Sequence, residues 1–538
     1  MGLGPARAPA RQAGRSGAGE CHTDGVLRTR SLLHAAPALL ALVLLAGGCG
    51  PAGERSASLS AAQAAALTPT PREAAVRGGT YDWPEFGYDA ARSNVEPHAT
   101  GLTDASVKRL RRIAVRLPGT VDSSPIFLHG IATRRGVRDL FIVTTTYGKT
   151  LALDAASGHR VWEFVPPSAG RLTGTAKITN TSPVADPDRR WVYAASPDGR
   201  VRKLAAGSGR ELRRDGWPAV VTRDAGHEKL AAALNLSGPW VYVVTGGYVG
   251  DYPPYQGHVI ALDRRTGRRA GIFNSLCSDR RQLLVPSSCP SQLSAIWSRA
   301  GAVIEPGSGR IIFTTGNGPW NGRTDWGDSV LELAPSAGRL EQSYTPRDRE
   351  QLEATDSDLG STGPALLPAP GKSARPRYVL QGGKDGVLKL LSLEKLNGRR
   401  RVADRTTGGE LQRLSAHAVV FTAPAVWRHR GHVFAFVANG SGTAAFELRG
   451  RRPRLALVWS NGHGGTSPVL AGGLLYVYGG GDGGLRVYRP GSPHPIVTLP
   501  AGAGHWNSPI VAAGRIALPE GNANAGRDSG VLDLYVPR

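Results

Sequence analysis

From Ser124 onward the chain repeats itself. A small residue followed by proline opens an apolar run at Ser124-Pro125, Ser182-Pro183, Gly363-Pro364, Ala423-Pro424, Ser467-Pro468 and Ser508-Pro509, and two looser copies cover 227–267 and the surroundings of 311–333. After each opening come short β-branched or aromatic runs separated by Gly-bearing turns, as at 140–145, Tyr147-Gly148-Lys149 and 151–154. Runs of that length, bounded by turn residues, read as strands. The eight openings recur roughly 40 to 60 residues apart, the period of four-stranded propeller blades. The 538 residues are therefore not to be divided into ordinary domains, because each repeat buries its apolar faces only against its neighbours. The expected fold is all-β: an eight-bladed propeller of four-stranded antiparallel blades over 80–538. The segment 81–94 lies outside the first unit and the last copy ends at Leu534. The ring is thus expected to close by pairing its two ends, which removes the exposed sheet edges. A parallel β-helix would need shorter repeats.

Composition matters through charge. Nine Lys and fifty-six Arg against 42 acidic residues give a formal charge of +23. A basic chain suits nucleic acid, anionic lipid or acidic polymers. The Arg residues are scattered and form no helical stripe, so no nucleic-acid partner is expected. At the N-terminus, Arg28 and Arg30 precede the apolar run ALLALVLLA at 38–46. That run is too short to span a membrane and suits a signal-peptide core. Leu45-Ala46-Gly47-Gly48-Cys49 resembles a bacterial lipobox, with Ala46 where Leu is more usual, and makes Cys49 the lipidation candidate. Ordinary cleavage and secretion is the alternative. The expected organisation is a leader and signal peptide over 1–48, a lipid-anchored flexible tether over 49–79 rich in Ala, Ser and Pro, and the propeller beyond. The expected location is the outer face of a bacterial cell membrane. Cys21 lies in the leader, which leaves Cys277 and Cys289 as an even pair; in an exported chain that favours a disulfide. No His sits at ligand spacing beside them, against a metal site there.

The hairpin at 311–333, IIFTTGNGPWNGRTDWGDSVLEL, carries Asn317, Trp320, Asn321, Asp325, Trp326 and Asp328 in its loop. A plain connector needs fewer oriented polar and aromatic groups. The bland readings are that Asn317 and Gly318 form a turn, and that Asp356 and Asp358 cap turns through Asx hydrogen bonds. His505 and Trp506 precede an opening and read as turn residues near the funnel. Trp162 and Trp459 recur at blade ends as packing residues. The Gly-rich turns never open a helix, which excludes a phosphate-binding loop. No Ser sits in a nucleophile elbow.

The repeat text resembles the PQQ-type propellers of the quinoprotein alcohol dehydrogenase superfamily. The resemblance is carried by SSPIF…LFIVTTTYGKTLALDAASGHRVWEF at 123–164, by GGTSPVLAGGLLYVYGGGDGGLRVY at 464–488 and by WPEFGYDAARSN at 83–94, and it covers about 80–535. It implies PQQ lying flat in the central funnel with Ca²⁺ beside it. TGNGPWN at 315–321 is similar to the motif whose Asn binds the metal, here Asn317, and a carboxamide oxygen suits that hard ion. TPRDREQLEATDSDLG at 345–360 resembles the segment holding the catalytic Asp, with Asp356 the better match and Asp358 the alternative. QGGKDG at 381–386 makes Lys384 the cation facing the quinone oxygens. Trp320 is a further cofactor-side candidate. Three departures stand beside these matches. The Trp expected to floor the cofactor, eighteen residues before Asn317, falls on Arg299, with Trp297 two positions away. The Glu metal ligand expected before Gly257 falls on Tyr252, with Asp251 as a substitute. No adjacent Cys pair exists.

Two functions follow. One is a cell-envelope module with a degenerate quinone site, binding or scaffolding an envelope protein, glycan or small-molecule ligand in the funnel. The other is a PQQ- and calcium-dependent dehydrogenase that oxidises an alcohol, small or polymeric, with Asp356 as base. Convergence of Trp297 and Asp251 with Asn317 and Asp356 would favour the enzyme.

Overall fold

Every small-Pro opening read from the sequence leads into the innermost strand of a blade. The computed structural model describes 81–538 apart from 173, 175–176, 372 and 400–405, together with 55–56, 59, 61–70 and 73. Seven blades follow in chain order: blade 1 (126–164), blade 2 (184–220), blade 3 (235–274), blade 4 (303–344), blade 5 (365–415), blade 6 (425–461) and blade 7 (469–500). Each is built on four strands joined in order by antiparallel pairing. Proline stands just ahead of the inner strand because it cannot donate to the ladder. Blade 8 closes the ring. Its inner three strands, Ile510–Ala512, Arg515–Glu520 and Gly530–Val536, receive Arg111–Leu117 as the outer strand, registered from Arg111 opposite Val536 to Leu117 opposite Gly530. The closing strand is therefore 111–117 and not the segment 81–94.

The apolar cores lie between blades rather than within them. One cluster joins blades 1 and 2 through Ile126, Ile142, Trp162, Val192 and Leu204; another joins blades 3 and 4 through Val259, Phe273, Ile311 and Leu331. The largest spans blades 7, 8 and 1. Trp162 shows how neighbours lock. Its indole N–H donates to Ala206 O of blade 2 at 2.7 Å, and a Cβ on Gly209 would lie 2.5 Å from its ring. Trp459 likewise donates to Pro490 O at 2.7 Å. These are the packing residues the sequence suggested.

The segment 83–100 has a different task. Trp83 pairs with Phe127 of blade 1, and the carbonyls of Pro84, Ala90, Ser93, Asn94 and Thr100 accept from Ala185, Ile304, Val426, Leu470 and Gly514 on blades 2, 4, 6, 7 and 8. Arg92, 1% exposed, reaches the carbonyls of Ala300 and Leu234 and pairs with Glu85 at 3.1 Å. One short stretch thus hydrogen-bonds across the inner strands of most of the ring and plugs one end of its axis.

Part of the expected tether is ordered. Helix Ala61–Ala66 leads into Leu67, and Ala66 and Leu67 are buried with Trp427, Trp459 and Tyr488. Arg55–Ser56 adds to the outer strand of blade 6. Glu73 lies 3.5 Å from His429; burial works against its charge, but the hydrogen bonds from His429 and Thr70 prevail and hold its carboxyl at about 2. The leader and signal peptide expected over 1–48, and Cys49, lie outside the described residues. Among the described residues no helix is long and apolar enough to cross a membrane.

Candidate functional site

Strand alternation decides which mouth of the ring carries chemistry. In every blade the connection into the inner strand and the loop between the second and third strands open on one face. Asn317 and Lys384 lie in such second-to-third loops, of blades 4 and 5; Trp297 and Arg299 lead into blade 4, and Asp356 and Asp358 into blade 5. All share the mouth opposite the plug.

At that mouth Asn317, Asp358, Lys384 and Trp297 converge. The Asn317 N–H donates to Asp358 Oδ1 at 2.7 Å, and Lys384 Nζ lies 2.5 Å from Asp358 Oδ2 and 3.0 Å from Asp356 Oδ1. Gly316 permits this approach. A Cβ there would fall 2.2 Å from Asp358 Oδ1 and 3.1 Å from the Trp297 indole nitrogen, so glycine is required by space. Lys384 Nζ also stands 5.7 Å from the Trp297 ring, a cation–π distance. The Asn317 amide nitrogen donates to Asp328 Oδ2 at 3.1 Å, which leaves Asn317 Oδ1 buried and without a partner. An unmet buried acceptor costs about 1–3 kcal/mol, and a hard cation is the kind of group that satisfies it.

The surrounding carboxylates are poised in the same sense. Burial raises the pKa of Asp358 against the pull of Lys384 and the Asn317 N–H. Burial likewise pushes Asp328 up to about 8; the Leu359 N–H opposes this, and the charges of Asp358 and Glu353 add to it. Glu353 accepts from Gly318 N–H at 2.5 Å. A cluster that disfavours its own negative charge gains from a bound cation.

Several expectations are corrected here. Asp356, the better sequence match, has a side chain 68% exposed and reaches the site only through Lys384; the buried Asp358 holds the central place. Asp251 stays outside. Its Oδ1 accepts from the Tyr255 hydroxyl at 2.5 Å, and burial, followed by the charges of Asp251, Asp358 and Asp356, pushes Tyr255 up. Trp320 packs under the Arg349 guanidinium, 4.9 Å from its ring, and does not join the cluster. Among the described residues no group of three or more His, Cys, Asp or Glu is placed to hold a metal, so a cation there would need amide oxygen as well as carboxylate. Cys277 and Cys289 are joined. Their loop clasps the hairpin: Cys277 N–H donates to Asp325 Oδ1 at 3.0 Å, Trp326 Nε1 to Ser278 Oγ at 3.0 Å, and Ser294 N–H to Asn317 O at 2.7 Å.

A second polar group stands on the axis, and sequence reasoning missed most of it. Asp122, 1% exposed, accepts from Asn180 Nδ2 at 2.8 Å, Ala523 N–H at 3.0 Å and Trp506 N–H at 3.0 Å, with His505 Nδ1 at 2.8 Å. Burial would raise its pKa, but Arg299, His505 and the Ala523 N–H hold it at about 2. Arg299, expected near the cofactor floor, lies here. Its Nη2 is 3.9 Å from Asp122 Oδ1 and its guanidinium covers Trp506 at 5.6 Å. Lys229, 7% exposed, is pushed down to about 7 by burial and then by Arg299, against the pull of Asp122. Trp506 meets Phe421 at 4.7 Å and Phe421 meets Trp297 at 6.0 Å, so aromatic rings bridge the two polar groups. The one signal for this centre was the position of His505 and Trp506 just ahead of a small-Pro opening.

Comparison with known proteins bears on the fold. The family described as glucose/ethanol/alcohol dehydrogenase, beta-propeller domain, matches residues 83–302. A quinohemoprotein alcohol dehydrogenase from Comamonas testosteroni is 25% identical over 393 residues, 66% of this chain and 51% of its own length. Quinohemoprotein alcohol dehydrogenase ADH IIB from Pseudomonas putida is 26% identical over 380 residues, 63% of this chain and 50% of its own. The chain thus spans about half the length of the curated relatives it matches. Among solved structures, the Comamonas testosteroni enzyme superposes with a TM-score of 0.61 at 17% identity, covering 88% of this chain and 84% of that one. A europium-containing methanol dehydrogenase superposes with a TM-score of 0.59 at 14% identity, covering 84% and 97%. At these identities the superpositions speak for the fold.

Proposed function

We propose that this eight-bladed β-propeller, similar to the quinoprotein alcohol dehydrogenases in sequence and fold, is itself a quinone-dependent oxidoreductase acting on an alcohol. The observation that carries the proposal is Asn317 Oδ1, buried and unpartnered beside Asp358 and Lys384. Asn317, with the Asp328 carboxylate beside its amide, would hold a divalent cation; Trp297, Phe421 and Trp506 would line the flat quinone, and Lys384 would face its oxygens. When bound, the quinone with its cation supplies a two-electron acceptor. Asp358 accepts the alcohol proton. Burial makes it more basic, while Lys384 and the Asn317 N–H fix its orientation. Lys384, held over Trp297, stabilises negative charge that develops at its end of the pocket.

Export and anchoring belong to the proposal. The Cys277–Cys289 disulfide supports an oxidising compartment, and Cys49 remains the candidate for attachment to the outer face of the cell membrane. Two observations favour the second reading, a ligand-binding module of the envelope without redox chemistry. Lys384 is already neutralised by Asp358 and Asp356, and Arg299 stands at the position read as the aromatic floor.

The test is reconstitution of the purified chain with PQQ and Ca²⁺, followed by tryptophan quenching and dye-linked oxidation of a panel of alcohols. Asn317→Ala is expected to lose binding, Asp358→Asn to keep binding and lose turnover, and Asp356→Asn to keep both within a few-fold. Absence of binding at micromolar PQQ would sink the enzyme reading in favour of the module.

A further inference from the structure

We infer that Arg299 and Lys229, beside the Asp122–His505 pair, form a carboxylate-binding site at the floor of the funnel. The inference comes from what these cations lack. Three of the four polar groups that meet Asp122 at hydrogen-bond distance, from Asn180, Ala523 and His505, crowd its Oδ2, and the Trp506 N–H takes Oδ1. Arg299 is not one of them: at 3.9 Å it shares the charge of Asp122 without a hydrogen bond. Its one hydrogen bond among the described residues goes from Nη1 to Ala231 O at 3.2 Å, so most of a five-donor guanidinium fork is unused. Lys229 is more telling. It is 7% exposed, and among the described residues its ammonium makes no hydrogen bond or ion pair. A largely buried lysine whose ammonium has no partner is a ready site for an anion.

Two basic side chains therefore stand by one carboxylate that neither of them hydrogen-bonds. A row of tilted rings, Trp506, Phe421 and Trp297, runs from this floor to Lys384. The plug of 83–100 seals the axis behind it, so a ligand enters from the open mouth with its anionic end leading. A carboxylate matches the planar fork of Arg299 and supplies the counter-charge Lys229 lacks. That carboxylate has two sources, an anionic quinone or a free small acid.

Malonate and PQQ with Ca²⁺ are each titrated into the full chain by calorimetry and thermal shift, in the wild type, Lys229→Met, Arg299→Gln and Asn317→Ala. Binding by malonate assigns the site to a small acid, and binding by the quinone alone assigns it to the cofactor. Either is expected to weaken by about tenfold or more in Lys229→Met and Arg299→Gln. Lys229→Met removes a buried ammonium and is expected to melt no lower than wild type, which separates lost binding from lost folding. No binding of either probe, or binding unchanged in both cation variants, overturns the site. Quinone binding lost in Asn317→Ala and unchanged in Lys229→Met would do the same while leaving the redox proposal in place.

Discussion

Gly316 shows how little room the candidate site has. Its missing side chain is what lets Asp358 Oδ1 reach the Asn317 N–H and lets Trp297 close over the same carboxylate. Gly316→Ala is therefore expected to displace Asp358 and cut quinone-supported turnover about 100-fold, the scale associated with misplacing a catalytic group by about 1 Å. The folded state should survive, because the Cβ meets the end of a side chain rather than backbone; circular-dichroism melting beside the activity assay would show both. Asn317 was legible in the sequence because Thr-Gly-Asn at a strand end is a local pattern. The choice between Asp356 and Asp358 was not. Two aspartates that follow a short helix, in a turn where Asp356 takes φ 49°, obey no face rule of the kind that alternates side chains along a strand. Asp122, Lys229 and His505 were further out of reach, because they come from the connections into blades 1, 3 and 8 and meet only once the ring has formed.

At the scale of elements, the connection from blade 3 to blade 4 is the site's outer wall. It is closed by Cys277–Cys289 and hydrogen-bonded to the hairpin through Asp325, Trp326 and Asn317. A cross-link over a short loop stabilises by about 3 kcal/mol, chiefly by restricting the unfolded chain. Replacing both cysteines with serine is expected to lower unfolding free energy in urea by about that amount and to weaken PQQ binding further than Cys-free folding alone explains, since the wall also positions Asn317. Strands, turns and the disulfide were legible because each is specified by residues near one another. The ordered part of the tether was not. A six-residue helix, Ala61–Ala66, is too short to persist alone and forms because Ala66 and Leu67 are buried against blade 6. An Ala-, Ser- and Pro-rich composition gives no sign of such a docking surface.

For the whole molecule the decisive features are the plug and the closure, which make the ring blind at one end and continuous around its rim. The closure has its own chemistry. Arg112, on the strand that arrives last in the sheet, contacts Asp533 at 2.8 Å and Glu520 at 2.7 Å on the strands it joins. Burial, then the hydrogen bond and charge of Glu520, push Asp533 up to about 7, with Arg112 pulling the other way. An unfolded aspartate titrates near 3.9, so from there to about 7 the folded chain holds a proton that the unfolded chain has released. The stabilisation from that proton is complete below about 4 and is lost as pH rises through about 7. Lys229, down to about 7, acts in the opposite sense at higher pH, while Glu85 and Asp328, both up to about 8, act in the same sense as Asp533. Asp533→Asn leaves those three untouched, so the difference in melting temperature between variant and wild type reports the Asp533–Glu520 pair. That difference is expected to shift in favour of the variant as pH rises from about 5 to about 8, whatever its sign at the acid end. A difference that stays constant over the window would mean that Asp533 remains ionised beside Arg112 and that the ring is closed by an ordinary ion pair.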